Sequence, residues 1–153
     1  MSDKGKISNK NPLNDLTGKE WIYNTNSIES LESEDWERSF NQFVIELIET
    51  RYSTKGVDGF AHHIRKEHPT PKPPQLMERL VKFFSKKNEL VFDPFMGVGG
   101  TLLACSMSER KGVGVDISEK YIDIYKQANE YLKLNEQIHF VGDSRKINEI
   151  PFL

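Results

Sequence analysis

The chain has 153 residues, which is room for one ordinary domain or most of one. Its hydrophobic content of 37%, charged content of 29% and formal net charge of −2 fit a soluble globular protein. They exclude a globally basic nucleic-acid-coating surface, so any DNA contact has to be local or come from a partner. No run approaches the roughly 18 apolar residues of a membrane span, and the N-terminus is polar rather than signal-like. A single cysteine, Cys105, excludes an internal disulfide and suits a reducing, cytoplasmic setting.

Residues 1–12, rich in Lys, Asn, Ser and Asp, are expected to form a disordered tail. Residues 13–61 read as an N-terminal extension. In it, Asp15-Leu16-Thr17-Gly18-Lys19-Glu20-Trp21 is a short ordered island turning at Thr17-Gly18. From Asp35 to about Thr50, Trp36, Phe40, Phe43, Val44, Leu47 and Ile48 recur at helical spacing. That pattern predicts an amphipathic helix with Glu46 and Glu49 turned outward. Gly56 to Gly59 breaks the pattern and leads into a basic, histidine-bearing loop.

His68-Pro69-Thr70-Pro71-Lys72-Pro73-Pro74 cannot be helix or central strand, because each proline removes a donor and extends the residue before it. Pro74 suits the first turn of a helix carrying Leu76, Met77, Leu80, Val81 and Phe84 on one face. That helix is expected to end near Ser85-Lys86-Lys87. The remainder alternates: strand Leu90 to Asp93, helix from about Gly100 to Arg110 with Gly112 as its stop, strand Gly112 to Asp116. Ser118 then caps a helix to about Asn135 with Ile122, Tyr125, Ala128 and Leu132 on its apolar face, before a third strand, Ile138 to Val141. This βαβαβ run implies three parallel strands with right-handed crossovers. Cys105 falls among apolar helix neighbours and reads as a small buried filler.

Three acids, Asp93, Asp116 and Asp143, stand at or just after the three strand ends, where ligands bind in open α/β sheets. The run Asp93-Pro94-Phe95-Met96-Gly97-Val98-Gly99-Gly100-Thr101 has the form of a strand ending on an acid, a glycine turn and a helix. Asp116 lies 23 residues after Asp93, close to the roughly 20-residue offset of a ribose-binding acid. A dinucleotide fingerprint would need glycine where Leu102 stands, and no Gly-Lys-Ser/Thr follows the turn. A cofactor with a ribose and a charged amino-acid tail but no pyrophosphate fits better, and S-adenosylmethionine is such a molecule. The alternative is a packing turn with incidental acids.

With these residues in place, Asp93-Pro94-Phe95-Met96-Gly97-Val98-Gly99-Gly100-Thr101 resembles the first motif of DNA amino-methyltransferases, which methylate the exocyclic amine of adenine or cytosine. His68-Pro69-Thr70-Pro71-Lys72-Pro73 is similar to that family's cofactor-tail motif. Gly114-Val115-Asp116-Ile117 and Gly142-Asp143-Ser144 are similar to the next two. The resemblance spans roughly residues 62–148, and Leu16-Thr17-Gly18-Lys19-Glu20-Trp21 is similar to the leader of some members.

The resemblance implies a partial Rossmann-like, doubly wound α/β methyltransferase fold over residues 62–153, binding S-adenosylmethionine. By it, Asp93, Phe95, Gly97 and Gly99 would wrap the methionine portion, with Thr101 at the helix entrance. Asp116 would accept the ribose hydroxyls, Ile117 would pack on adenine, and Asp143 would accept the adenine amine. Thr70 and Lys72 would hold the methionine carboxylate; for Lys72 the alternative is a solvated charge between prolines.

The family's catalytic Asp/Ser/Asn-Pro-Pro-aromatic motif, normally on a fourth strand, holds the target amine and stacks on the flipped base. Here Pro73-Pro74 is followed by Gln75, and no catalytic residue is assigned. The expectation is therefore a cofactor-binding portion that needs a complementary chain for catalysis and DNA recognition, as a homo- or hetero-oligomer. Without such a chain, Leu90-Val91-Phe92 would be an exposed apolar edge. The alternative is a non-catalytic S-adenosylmethionine-binding remnant. His62, His63 and His68 lack the companions of a tetrahedral set, so no metal is expected. Arg65, Lys66 and Lys72 form a local basic cluster, read as either a phosphate contact or a solvated loop.

Overall fold

The computed structural model describes residues 14–16, 55 and 59–149. The tail expected at 1–12, the turn at Thr17-Gly18 and the helix expected from Asp35 lie outside the described residues. Where a basic loop is expected, the chain makes a single helical turn, α1 (His62–Arg65). Phe60 and Ala61 take left-handed conformations (φ 43° and 56°), and the amides of Ile64 and Arg65 both donate to the Ala61 carbonyl at 3.0 Å. Ala61 is fully buried and Ile64 packs beside it on the core, so tertiary burial rather than propensity sustains this turn.

The next helix, α2 (Pro74–Phe84), begins on proline as expected, preceded by Pro73 in an extended conformation. Its buried face is narrower than the sequence suggests. Pro74 and Val81 are buried and Met77 is half-buried, whereas Leu80 and Phe84 are exposed. Successive residues are rotated by about 100° on a helix, so the stripe through Leu80 and Phe84 turns away from the stripe through Pro74, Met77 and Val81. At the last turn of α2, Asn14 Nδ2 donates to the Phe83 carbonyl at 2.5 Å. Asp15 meets the buried guanidinium of Arg110 at 3.3 Å, so Asn14 and Asp15 are both held at this corner.

From Leu90 onward the predicted alternation appears: β1 (Leu90–Asp93), α3 (Gly100–Met107), β2 (Lys111–Asp116), α4 (Glu119–Leu132) and β3 (Ile138–Val141). The three strands are parallel and lie in the order β1-β2-β3, with Phe92 opposite Val113 and Val115 opposite Phe140. This is a partial Rossmann-like α/β fold.

Two helix ends differ from the sequence expectation for one reason. Helix α3 stops at Met107 rather than Arg110, and Glu109 makes the reversal at φ 60°; Gly112, expected as the stop, lies inside β2. Helix α4 stops at Leu132, with Lys133 at φ 54°, short of Asn135. Non-glycine residues in left-handed geometry carry no glycine signal. The Ser118 cap forms as expected, its hydroxyl accepting from the Tyr121 amide at 3.4 Å.

The core lies where α3 and α4 meet β2, with Met96, Leu102, Leu103, Ile122, Tyr125 and Ala128 all buried. Burial pushes the Tyr125 hydroxyl up to about 12, and its oxygen accepts from the Gln137 amide at 2.9 Å. A second cluster joins Val81 of α2 to Ala104 and Cys105 of α3. Cys105 is a filler there, its thiol pushed up to about 12 by burial. Among the described residues β1 pairs only with β2; Leu90 is exposed, while Val91 and Phe92 are half-buried.

Candidate functional site

Strand β1 delivers Asp93 to the carboxyl edge of the sheet, and the chain then reverses into α3. The Asp93 carboxylate accepts from the Phe95 amide at 3.1 Å, and the Met96 amide donates to the Val115 carbonyl at 3.0 Å, anchoring the turn to β2. Gly97 and Gly99 both have positive φ, 51° and 73°. At Gly99 a Cβ would sit 2.2 Å from Cδ2 of Tyr125, so glycine is required there by close packing on α4 as well as by the turn.

Facing this turn is the proline-rich segment. The His68 ring leans on Tyr121, with ring centroids 4.7 Å apart, and its Nδ1 accepts from the Thr70 amide at 3.1 Å. Between segment and turn lies a cavity of about 190 Å³. Six of the ten sequence-predicted site residues line it: Thr70, Lys72, Asp93, Phe95, Gly97 and Thr101. Residues carrying a hydroxyl, an ammonium and a carboxylate thus border one small, partly apolar space. That set complements a ligand end bearing both a carboxylate and an amine.

The other four sit elsewhere. Gly99 is buried behind the turn. Asp116, Ile117 and Asp143 lie along the ends of β2 and β3, outside the cavity lining. Asp116 is already engaged: one carboxylate oxygen accepts from the Gly97 amide at 2.8 Å and the other from the Ser118 amide at 2.9 Å. A carboxylate has about four acceptor positions, so capacity remains for two hydroxyls. Ile117 is 73% exposed and Phe95 78%, placing two apolar surfaces in solvent beside the site. Asp143 is paired with Arg145 at 2.6 Å, and hydrogen bonding from that side chain holds its carboxyl down to about 2. Ser144 donates its hydroxyl to the Pro94 carbonyl, fastening the end of β3 to the turn after β1.

Arg65, expected as a phosphate contact or a solvated loop residue, is instead 1% exposed. Its Nε donates to the Val98 carbonyl at 3.2 Å and its Nη2 to the Lys72 carbonyl. Basic composition conceals it, because nothing in Arg65-Lys66 says which of the two turns inward. His68 and Met77 also line the cavity without having been singled out as site residues. Burial, with Arg65 next in importance, lowers the His62 imidazole below its ordinary value. Among the described residues no group of His, Cys, Asp or Glu is arranged to hold a metal ion, and no helix is long and apolar enough to cross a membrane.

Comparison with known proteins places the chain in a family. A family model described as DNA methylase matches residues 2–127, most of the chain, and the chain belongs to that family of DNA amino-methyltransferases. The type II methyltransferase M.HpaI of Haemophilus parainfluenzae is 41% identical over 63 residues, covering 41% of this chain and 20% of that protein. The orphan methyltransferase M.BamHII of Bacillus amyloliquefaciens is 42% identical over 67 residues, covering 44% of this chain and 24% of that protein. The type II methyltransferase M.HinfI of Haemophilus influenzae is 29% identical over 115 residues, covering 75% of this chain and 30% of that protein. The matches therefore span between a fifth and a third of the length of these curated relatives. Among solved structures, a chain titled as MtNAS in complex with MTA and tNA aligns at a TM-score of 0.38 and 14% identity, over 88% of this chain and 43% of that one.

Proposed function

We propose that this member of the DNA amino-methyltransferase family forms the S-adenosylmethionine-binding portion of a site-specific DNA methyltransferase acting on adenine N6 or cytosine N4. The observation that carries the reading is the cavity between the proline-rich segment and the glycine turn, where Thr70, Lys72 and Asp93 converge. Lys72 and Thr70 take the carboxylate of the methionine end, and Asp93 takes its ammonium. A cavity of about 190 Å³ suits that end alone, since whole-ligand pockets run to about 300–1,000 Å³. The ribose and adenine extend along the open strand ends, where Asp116 has spare acceptor positions and Ile117 and Phe95 offer exposed apolar faces. There Asp143 meets the adenine amine, exchanging its contact with Arg145.

When bound, the cofactor supplies an electrophilic methyl group on a sulfonium. The chain's own contribution is to seat the donor and fix its orientation. The acceptor side, with its polar residue, prolines and base-stacking aromatic, comes from a complementary polypeptide segment, which also carries DNA recognition. Assembly with that segment, as a homo- or hetero-oligomer, covers the exposed Leu90 edge of β1.

Calorimetric titration of the chain with S-adenosylmethionine tests the reading. Saturable binding at one site is expected, weakened by about 1–2 kcal/mol in Lys72→Ala through loss of a charge-assisted contact. Absence of binding by the wild type overturns it.

A further inference from the structure

The most deeply buried charged side chain among the described residues is Arg65, and no described carboxylate lies within ion-pair distance of it. Burial lowers its guanidinium to about 10, which leaves it charged at neutral pH. A buried charge without a counter-ion is costly, and two carbonyl acceptors are its compensation. Both carbonyls are informative. That of Lys72 belongs to the proline-rich segment and that of Val98 to the glycine turn, so one guanidinium joins the two walls of the cavity.

Little else makes this link. Pro69, Pro71, Pro73 and Pro74 have no N–H to donate, and the Thr70 amide is taken by the His68 ring. Among the described residues no other hydrogen bond connects 68–73 with 94–101. The walls also approach closely where the guanidinium sits. A Cβ on Gly100 would come within 2.9 Å of the Lys72 carbonyl oxygen and 3.2 Å of Arg65 Nη2.

We infer that Arg65 is a positioning residue of the cofactor site, which sets the distance of Thr70 and Lys72 from the glycine turn and so governs recognition of the ligand's amino-acid end. The inference rests on the S-adenosylmethionine reading and deepens it. Arg65 acts through the segment it holds, so its effect is confined to that end. Its hydrogen bonds reach none of the residues at the ends of β2 and β3, where the nucleoside end lies.

The test compares two ligands on the full chain by calorimetry: S-adenosylmethionine, and 5′-methylthioadenosine, which has the nucleoside but no amino-acid end. In Arg65→Met, binding of S-adenosylmethionine is expected to weaken about tenfold or more, while binding of 5′-methylthioadenosine stays within about twofold. Arg65→Lys keeps the charge but replaces the rigid two-nitrogen fork with a single ammonium, and is expected to fall between. Gly100→Ala, which forces the same contact apart from the other side, shifts the ratio in the same direction. If Arg65→Met fails to fold by circular dichroism, Arg65→Lys and Gly100→Ala carry the comparison. Equal weakening of both ligands, or an unchanged ratio, overturns the positioning role while wild-type binding upholds the site. No wild-type binding of S-adenosylmethionine overturns the reading of the site itself.

Discussion

Replacing Asp116 by alanine is expected to destabilise the unliganded chain, before any ligand is added. The carboxylate accepts from the Gly97 amide at 2.8 Å and the Ser118 amide at 2.9 Å, so it braces the glycine turn against the start of α4. Hydrogen bonds to a charged acceptor contribute about 1.5–3 kcal/mol each when shielded from water. Asp116 is half-buried and water can replace part of each contact, so the low end applies. The pair should then be worth about 3 kcal/mol. Asp116→Asn retains one acceptor oxygen and should lose about half of that. Urea denaturation of the chain without ligand measures both. A residue that only received ribose hydroxyls would leave this curve unmoved, so a shift below about 0.5 kcal/mol in Asp116→Ala refutes the bracing role.

Gly99→Ala should cost about 3 kcal/mol or more, from left-handed backbone plus a methyl driven into Tyr125. Gly142→Ala, whose nearest neighbour would be 3.8 Å away, should fall within about 0.5 kcal/mol of wild type in the same denaturation series. Leu102→Ala, at a fully buried position, should lose about 3–5 kcal/mol by the same assay. Cys105 and Tyr125 are buried in neutral form, with folded values raised from 9.0 and 10.0 to about 12. The unfolded chain ionises first as pH rises, so stability is expected to hold up to about pH 9 and decline progressively towards 12. Melting curves across that range check it, and flat stability from pH 9 to 12 would count against it. Below that range Cys105 should resist thiol reagents until the chain unfolds.

The parts of this fold that repeat a period were readable from residue order. The three apolar strands, each ending on or just before an acid, and the helices between them lie within a few residues of their expected bounds. The glycine turn was readable because Gly97 and Gly99 sit where L side chains are strained. What stayed hidden depends on tertiary contact. Turn α1 exists because Ala61 and Ile64 reach the core. Glu109 and Lys133 reverse the chain in a conformation usually given to glycine. Arg65 and Lys66 are equivalent in composition, yet only Arg65 is buried, selected by two carbonyls brought together from distant segments. The second task of Asp116, holding the turn that shapes the site, likewise appears only once β1 and β2 lie side by side.

The central claim is that the cavity between the proline-rich segment and the glycine turn seats the amino-acid end of S-adenosylmethionine. The most direct measurement is an amide nuclear magnetic resonance titration of the isotopically labelled chain with that ligand. Saturable shifts concentrated at Thr70, Lys72, Gly97, Thr101 and Asp116 are expected. Binding that moves other amides and leaves the cavity residues still would contradict it.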